Sequence, residues 1–336
     1  MISHKGKQSV IFQNTPFIKS YASIAGKKEA EGPLGRYFDQ TEPDEYFGQK
    51  SFEAGESELL KRTVNLAFSK CGKVPSDADV LFSGDLLNQC VSSIYAIRDM
   101  NVPYIGIYGA CSTMAEGLML SALSIASGFA NLSANATSSH FCCAERQFRF
   151  PLEYGSQRPP TAQWTSTASG CIVLSNEKTE LRITSATVGK IVDKDIKDAA
   201  NMGSAMAPAF ADTVKTHLSD LALTPDYYDL IISGDLGTLG SALSDELLIR
   251  DGIDIRDNHF DCGCAIYDPE KQDVHAGGSG CGCSASVLCA YLLPKLKSGE
   301  LKRILFCATG ALMSPELSKQ GESIPGISHA VSIERV

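Results

Sequence analysis

A cysteine on a sharp turn between a strand and a helix is the residue of this chain best suited to chemistry. The apolar stretch 104–108 predicts a short buried strand, Gly109 and Ala110 allow a tight turn, and 113–127 predicts a helix of small apolar residues. Cys111 therefore lies near a helix N-terminus, where unpaired backbone N–H groups favour negative charge. Such a setting can lower the pKa of a thiol and make it a nucleophile or a contact for an anion. The alternative is a small buried thiol packed in the core.

The elements around this turn alternate between strands and helices. In chain order they are predicted as strand 9–13, helix 56–71, strand 80–83, helix 86–100, strand 104–108, helix 113–127 and strand 132–136. Strands separated by helices in this way predict an α/β protein with a parallel sheet covered on both faces.

The second half of the chain repeats the first. The segments 79–86 (DVLFSGDL) and 229–236 (DLIISGDL) lie 150 positions apart and share five of eight residues. A glycine-rich turn at 277–285 precedes an apolar helix predicted over 286–296, which repeats the arrangement at Cys111. The period is far too long for a solenoid. We therefore expect one architecture built twice, with an N-terminal half, 1–180, and a C-terminal half, 181–336.

Composition and charge exclude several classes of function. The 336-residue chain is 43% hydrophobic and 21% charged, as globular proteins are, and its net charge of -9 argues against a nucleic-acid partner. Twelve cysteines without a secretory signal indicate reduced thiols in a cytosol-like compartment. The stretch 117–143 lacks Asp, Glu, Lys and Arg, but its asparagines and serines are costly in lipid. We expect a buried helix and strand there rather than a membrane span.

The duplicated plan, with a cysteine on a strand-to-helix turn, resembles the thiolase-like fold. The turn 109–112 (GACS) is similar to the nucleophile turn of ketoacyl-ACP synthase III and its relatives. The stretch 164–174 is similar to the strand that closes their first half, and 310–313 (GALM) to the glycine-rich loop before their last strand, here 330–333. The resemblance implies a thiolase-like five-layered αβαβα fold of the α/β class, built from two duplicated halves, and a homodimer.

The catalytic residues of those condensing enzymes do not carry over to this sequence. The catalytic histidine of the condensing enzymes follows the second-half strand, where this chain has 233–235 (SGD). The position of their catalytic asparagine corresponds to Cys281 or Gly282 of this chain. An oxyanion hole that lacks one donor loses about 10²- to 10³-fold in rate. We therefore expect Cys111 to be a vestigial nucleophile in a protein that is not an enzyme. The alternative is an acyltransferase or β-ketoacyl synthase III-like enzyme that uses Cys111.

A closer resemblance runs from end to end. The segments 35–39 (GRYFD), 160–165 (PTAQWT) and 321–330 (GESIPGISHA) together resemble the stage V sporulation protein AD family of endospore-forming bacteria. The resemblance implies binding of dipicolinic acid, pyridine-2,6-dicarboxylic acid, and a part in its uptake, with calcium, into the developing spore. It also implies partners in the stage V sporulation A membrane complex and a peripheral location at the spore inner membrane. A purely structural subunit of that assembly is a further alternative.

The ligand implied by this resemblance has definite chemical needs. Dipicolinate is a flat aromatic dianion that requires a slot, apolar walls and a few donors. The pocket of the fold lies where strand ends meet the cysteine turn, so the expected ligand-binding residues are Asp85, Cys111, Ser112, His140 and Gln163. The helix N-terminus can donate N–H groups to a carboxylate, and a protonated His140 can donate a charged hydrogen bond. Asp85 would hold a donor or share calcium. The alternatives are a helix N-cap for Asp85 and a packed or surface histidine for His140.

Two further patterns give weaker expectations. The Cys-Gly-Cys segments 262–264 and 281–283 have one residue between the thiols, whereas zinc sites usually have two or more. We therefore expect buried free thiols, no resident metal and no cofactor, with dipicolinate, alone or with calcium, as the ligand. The alternating residues 146–150 predict an exposed edge strand, whose arginines rank below Cys111 and His140 as ligand contacts.

Overall fold

Strands and helices alternate along the chain in the computed structural model, which describes residues 2–148 and 158–336. The strands are β1 (Ile2–Lys5), β2 (Ser9–Phe12), β3 (Phe17–Gly26), β4 (Gln40–Glu42), β5 (Val80–Gly84), β6 (Tyr104–Gly106), β7 (Leu132–Ser139), β8 (Trp164–Thr165), β9 (Ala168–Ser175), β10 (Leu181–Thr187), β11 (Leu230–Ser233), β12 (His259–Asp261), β13 (Gly278–Ser279), β14 (Arg303–Ala311) and β15 (Gly326–Arg335). The α-helices are α1 (Lys27–Ala30), α2 (Phe52–Ser69), α3 (Val91–Ile97), α4 (Thr113–Ser127), α5 (Phe141–Phe148), α6 (Met202–Leu221), α7 (Gly237–Arg250), α8 (Cys262–Ile266), α9 (Cys281–Val287), α10 (Leu293–Ser298) and α11 (Pro315–Lys319). A π-helical turn, Leu288–Leu292, joins α9 to α10.

The main sheet has two halves with matching strand orders. In space it runs β12-β11-β14-β15-β10-β3-β9-β7-β5-β6, and the halves meet through the pair Arg182 and Phe17. In the first half β5 pairs in parallel with β6 and β7, and in the second half β11 pairs in parallel with β12 and β14. The repeated segments 79–86 and 229–236 therefore occupy equivalent places, which confirms the predicted duplication.

The expectation of a parallel sheet is wrong for the strands nearest the junction. β9 runs antiparallel to both β7 and β3, and β15 runs antiparallel to both β14 and β10. Each half is thus mixed. The order of strands and helices along the chain does not reveal this, because the direction of β9 and β15 depends on how the chain returns to the sheet.

Helices form three layers around the two halves of the sheet. α2 and α3 cover the outer face of the first half, and α6 packs on β14 and β15, with α7 packed against α6. α4 lies between the halves, since it contacts β5 and β7 as well as β14 and β15, and α9 packs beside it. The resulting order of helix, strand, helix, strand and helix layers confirms the predicted five-layered αβαβα class.

The sequence of α4 explains its central position. Four of its apolar residues are fully buried, namely Met114, Ala115, Leu118 and Ala122. Burial of this kind is expected for a helix that is enclosed on all sides. Gly117 permits close approach, because a Cβ atom there would lie 1.9 Å from the side-chain oxygen of Asn135. Among the described residues, the stretch 110–127 alone has the length and apolar character of a membrane span, and 72% of it is buried inside the protein.

The buried strand predicted at 104–108 is wrong: β6 spans Tyr104–Gly106 at the edge of the sheet, and its residues are half-buried or exposed.

Several predicted elements also differ in their bounds, three of them most clearly. The helix expected at 86–100 is shortened to α3, because Gln89 and Cys90 have φ values of +59° and +51° that no helix accommodates. The helix expected from residue 286 already begins at Cys281, directly after Gly280, whose φ is +105°. The single strand expected at 164–174 is two strands, β8 and β9.

The edge strand predicted at 146–150 is wrong for the residues that the structure describes. Arg146 to Phe148 form the last turn of α5, and Arg146 pairs with Glu53 of α2. The prediction for Arg149 and Phe150 lies outside the described residues. The alternation of charged and aromatic side chains in this short stretch fits a helix end as well as a strand.

Candidate ligand-binding site at Cys111

The turn that carries Cys111 joins β6 to α4 and is held in a strained shape. Ala110 has a φ of +50°, a left-handed conformation that residues with a side chain rarely adopt. The Ser112 hydroxyl donates to the carbonyl oxygen of Gly109 at 2.7 Å and closes the turn. Gly310 of β14 packs directly behind it, since a Cβ atom at Gly310 would lie 2.3 Å from the same Gly109 oxygen. Both halves of the protein therefore fix the position of the thiol.

A buried carboxyl group from the second half faces this thiol. The Ser279 hydroxyl donates to Asp235 Oδ2 at 3.1 Å and lies 3.9 Å from Cys111 Sγ. Asp235 also accepts hydrogen bonds from the Gly280 backbone N–H and the Thr309 hydroxyl, each at 2.8 Å. These donors hold the carboxyl group in place, and the segment 233–235 that lacks the enzymes' histidine supplies an acid to the site instead.

Burial and charge together make the thiol of Cys111 weakly acidic. Burial raises the pKa of Asp235 to about 6. Burial, with the negative charge of Asp235 as the next cause, raises the pKa of Cys111 well above its usual range. The expectation that the helix N-terminus lowers this pKa is therefore wrong, because desolvation and a nearby carboxylate outweigh the backbone N–H groups.

A small cavity of about 40 Å³, here called the inner chamber, lies at Cys111. Its walls are mostly apolar, and Glu145 is the one charged side chain among the described residues that line it. The lining consists of Leu86, Tyr108, Ala110, Cys111, Ala144, Glu145, Phe148, Thr165, Met202, Ser279, Ala311 and Met313.

A second cavity of about 360 Å³, here called the vestibule, adjoins the inner chamber on the surface side. The two share Tyr108, Phe148 and Met313 as a common wall. The other lining residues of the vestibule are Leu87, Asn88, Gln89, Leu312, Ser314, Pro315 and Glu316. The two neighbouring cavities are together called the cleft at Cys111.

Asp85 is not among the lining residues of the inner chamber, and its carboxylate accepts hydrogen bonds from residues of the first half. Its Oδ1 accepts the N–H of Leu87 at 2.9 Å, and its Oδ2 accepts the N–H and the hydroxyl of Ser93 at 2.8 Å and 2.7 Å. Ser93 is in the first turn of α3, so Asp85 caps that helix. Burial raises the pKa of Asp85. These contacts are those of a helix cap, which is the alternative to ligand binding that the sequence offers for Asp85.

His140 and Gln163 also lie around the chamber rather than on its wall. His140 Nε2 donates to the Glu45 carbonyl at 2.8 Å, while Nδ1 accepts the N–H of Cys142 at 3.2 Å, so the ring is neutral. Burial lowers the pKa of His140. Gln163 donates to the carbonyl oxygen of Asp235 at 2.6 Å and thereby supports the second-half turn.

Of the five residues predicted to bind ligand, Cys111 lines the inner chamber and the other four surround it. Direct ligand contact by Asp85, Ser112, His140 and Gln163 stays a prediction. Ser279, Thr309 and the shared wall of the two cavities were not predicted. Ser279 carries a usable signal, because it belongs to the glycine-rich turn that repeats the arrangement at Cys111.

No metal cluster is preformed in the part of the chain that the structure describes. Within that part, no group of three or more His, Cys, Asp or Glu side chains is placed to hold a metal ion. All twelve cysteines are free thiols, and those of 262–264 and 281–283 are mostly buried.

The comparisons with known proteins agree along almost the whole chain. The family profile described as stage V sporulation protein AD (SpoVAD) matches residues 6–334. Stage V sporulation protein AD of Bacillus subtilis strain 168 is 46% identical over 330 residues, which cover 98% of this chain and 97% of the relative. The chain belongs to the SpoVAD family. It is thus a sporulation protein, and the resemblance drawn from its segments is confirmed.

Solved structures show the fold of this SpoVAD-family chain. Human mitochondrial 3-ketoacyl-CoA thiolase in complex with CoA matches with a TM-score of 0.60 at 11% identity, covering 97% of this chain and 99% of the thiolase. The 3-oxoacyl-(acyl carrier protein) synthase III of Pseudomonas aeruginosa PAO1 matches with a TM-score of 0.56 at 11% identity, covering 96% and 98%. The SpoVAD-family chain therefore has the thiolase-like fold.

Proposed function

We propose that this chain binds dipicolinate in a catalytically degenerate thiolase-like cleft and takes part in its uptake into the developing spore. The observation that carries the proposal is the buried Asp235 beside Cys111. Acyl transfer needs a thiolate and donors aimed at a developing oxyanion. Here a carboxylate occupies that neighbourhood, disfavours the thiolate and would repel an oxyanion, while the cleft itself is retained.

A calorimetric titration of the purified chain tests this proposal. Dipicolinate is titrated with and without calcium, and isophthalate, which has the same two carboxylates but lacks the ring nitrogen, is the control. We expect saturable binding of dipicolinate and at least tenfold weaker binding of isophthalate. No binding of dipicolinate in either condition would refute the function.

An acyltransferase remains the second candidate because of one specific contact. The chain of hydrogen bonds from Cys111 through Ser279 to Asp235 offers a path by which the thiol proton reaches a carboxylate. Incubation with acyl-CoA followed by intact-mass spectrometry separates the two candidates. We expect no lasting adduct, and a stable acyl group on Cys111 would favour the enzyme.

We further propose a homodimer through the exposed edge of the sheet. In the described part of the chain β6 pairs on one side with β5 and leaves its other edge open. Ile94, Tyr95 and Ile105 are 43%, 54% and 45% exposed around that edge, an apolar surface suited to a second copy. Ile105→Glu should yield a monomer in light scattering, whereas Ile191→Glu, at another exposed isoleucine, should not. A monomeric unsubstituted chain would contradict the proposal.

Association with the stage V sporulation A membrane proteins, at the spore inner membrane, completes the proposed function. The apolar stretch 110–127 is largely enclosed between the two halves of the sheet, so partner proteins rather than this stretch would supply membrane attachment. In sporulating cells that lack the partner proteins, we expect the chain to leave the membrane fraction. Retention of the chain on those membranes would contradict attachment through partners.

A further inference from the structure

A largely buried histidine of the second half belongs to a short hydrogen-bonded network next to the turn of Asp235. His259 of β12 contacts Asp245 of α7 through Nδ1 at 2.7 Å, and Ser233 of β11 through Nε2 at 2.9 Å. The Ser233 hydroxyl also donates to Asp261 Oδ2 at 2.7 Å. The side chains of His259 and Asp245 are 5% and 19% exposed. None of these four side chains lines the inner chamber or the vestibule.

The number of protons in this network fixes the charge of the histidine ring. Each of the three contacts needs one proton, and the Ser233 hydroxyl supplies a single one. The Asp261 carboxylate also accepts three backbone N–H groups, which stabilise its ionised form, so the Ser233 proton lies toward Asp261. The proton between Asp245 and Nδ1 belongs to the ring, because imidazole is a stronger base than a carboxylate. Both ring nitrogens of His259 therefore donate, and the ring is an imidazolium.

The surroundings of the ring suit a positive charge. Phe210 of α6 stacks on His259 with the ring centroids 5.2 Å apart and the planes 19° from parallel. The face of an aromatic ring attracts a cation. Asp245 faces the ring from α7, and Asp261 of β12 faces it through Ser233. Within the described part of the chain no Lys or Arg pairs with either acid, so the imidazolium is the cation that offsets both carboxylates.

Asp261 connects this network to the carboxyl group that faces Cys111. Its carboxylate accepts the N–H groups of Leu236 at 2.8 Å and of Gly237 at 3.1 Å, the two residues that follow Asp235. Burial and, as a smaller cause, the charge of Asp261 raise the pKa of Asp235 to about 6. A displacement of Asp261 would therefore move the turn 235–237 and with it the acid beside the thiol.

We propose that His259, as an imidazolium, is a positioning residue for the site at Cys111, and that loss of its proton loosens the turn of Asp235. Without that proton, two protons serve three contacts, so two lone pairs face each other at 2.7 to 2.9 Å. Unpaired polar atoms in a buried place are costly, so one contact opens or water enters. The turn is therefore held firmly in neutral solution and loosens in alkaline solution.

Nitrogen NMR of the full chain labelled with ¹⁵N-histidine tests the charge of the ring, with the His259 signals assigned by their loss in His259→Gln. At pH 7.5 a solvated imidazole is mostly neutral, yet we expect both ring nitrogens of His259 to be protonated. His217 is the internal control, because it is buried and contacts the hydroxyls of Thr187 and Tyr228 at 2.7 Å each. Burial lowers the pKa of His217 to about 4, so one of its nitrogens should be unprotonated.

Asp245→Asn tests whether the ring controls the turn. Removing this charge should leave a neutral His259 ring at pH 7.5. We then expect roughly tenfold faster amide hydrogen exchange at Leu236 and Gly237, and roughly threefold faster alkylation of Cys111 by iodoacetamide. Glu246→Gln removes a charge from the next, exposed position of α7 and should change none of these readouts.

Two results would overturn the inference. One is a neutral His259 ring in the unsubstituted chain at pH 7.5. The other is a neutral ring in folded Asp245→Asn together with unchanged exchange at Leu236 and Gly237, which would separate the ring from the turn. If Asp245→Asn does not fold, the unsubstituted chain decides: exchange at these two amides, relative to core amides of β15, should rise between pH 7 and pH 9, and a constant ratio would contradict the inference. These readouts do not involve a ligand, so a failure of dipicolinate to bind would refute the proposed function alone.

Discussion

Replacing Asp235 by asparagine should make Cys111 more reactive. The substitution keeps the shape of the side chain and removes the charge that opposes the thiolate. Because burial raises the pKa of Asp235 to about 6, the carboxyl group is ionised at pH 8 and protonated well below pH 5. The effect of the substitution should therefore be largest in alkaline solution and should fade as the pH falls through 6.

The size of this effect follows from the geometry. Contacts of 3.9 Å and 3.1 Å, through the Ser279 hydroxyl, place the carboxylate within about 7 Å of the sulfur. At an effective dielectric constant of about 20, two unit charges at that distance interact by about 2.4 kcal/mol, or roughly 1.7 pKa units. A less basic thiolate is also a weaker nucleophile, and on a logarithmic scale this loss offsets about half of the gain from the lower pKa. The net gain in rate is therefore roughly tenfold.

Alkylation by iodoacetamide at pH 8, followed by quantitative peptide mass spectrometry, measures this rate at each cysteine. Cys142 is the internal control, because burial and the acids Glu45 and Glu145, not Asp235, raise its pKa to about 11. We expect Asp235→Asn to increase the Cys111 rate about tenfold and to leave Cys142 unchanged. A change of less than twofold at Cys111, in a variant that melts as the unsubstituted chain does, would refute the electrostatic account.

Three further substitutions test the scaffold. Burial raises the pKa of Glu29 to about 6, so the folded chain binds the proton of this carboxyl group more tightly than the unfolded chain does. The free energy of unfolding should therefore fall as the pH rises from about 4 through 6. Glu29→Gln should reduce this dependence on pH, measured by urea unfolding at several pH values. Gly310→Ala should cost about 1–3 kcal/mol by overpacking against Gly109, measured by urea unfolding; an unchanged midpoint would contradict the close approach. Asp85→Ala should cost about 1–3 kcal/mol by leaving the N–H of Ser93 without its acceptor, and a smaller loss would argue against the cap.

Local patterns predicted those parts of the fold that depend on neighbouring residues. The helix expected at 113–127 is α4 with the same bounds, because its apolar composition and the flanking glycines act within the segment itself. The repeated segments 79–86 and 229–236 predicted two equivalent strands for the same reason. The antiparallel pairing of β9 and β15 was not predictable, since it depends on long-range chain return rather than on residue pattern.

The candidate site was predictable in position but not in chemistry. The turn at Cys111 and the absence of a histidine near Asp235 are both visible in the sequence. The raised pKa of Cys111 is not, because it results from burial between two halves that are far apart in the chain. The hydrogen bonds that the Ser279 and Thr309 hydroxyls donate to the Asp235 carboxyl group likewise depend on packing between separate segments of the chain.

A crystal structure of the chain with calcium and dipicolinate tests the central claim most directly. The account predicts the ligand in the cleft at Cys111, which Tyr108 and Phe148 line, with the Cys111 thiol unmodified. The groove of about 410 Å³ between α2 and α3 offers a contrasting location, because it combines the Tyr95 ring with Lys61 and Arg98. Dipicolinate bound in that groove, with the cleft at Cys111 empty, would contradict the account.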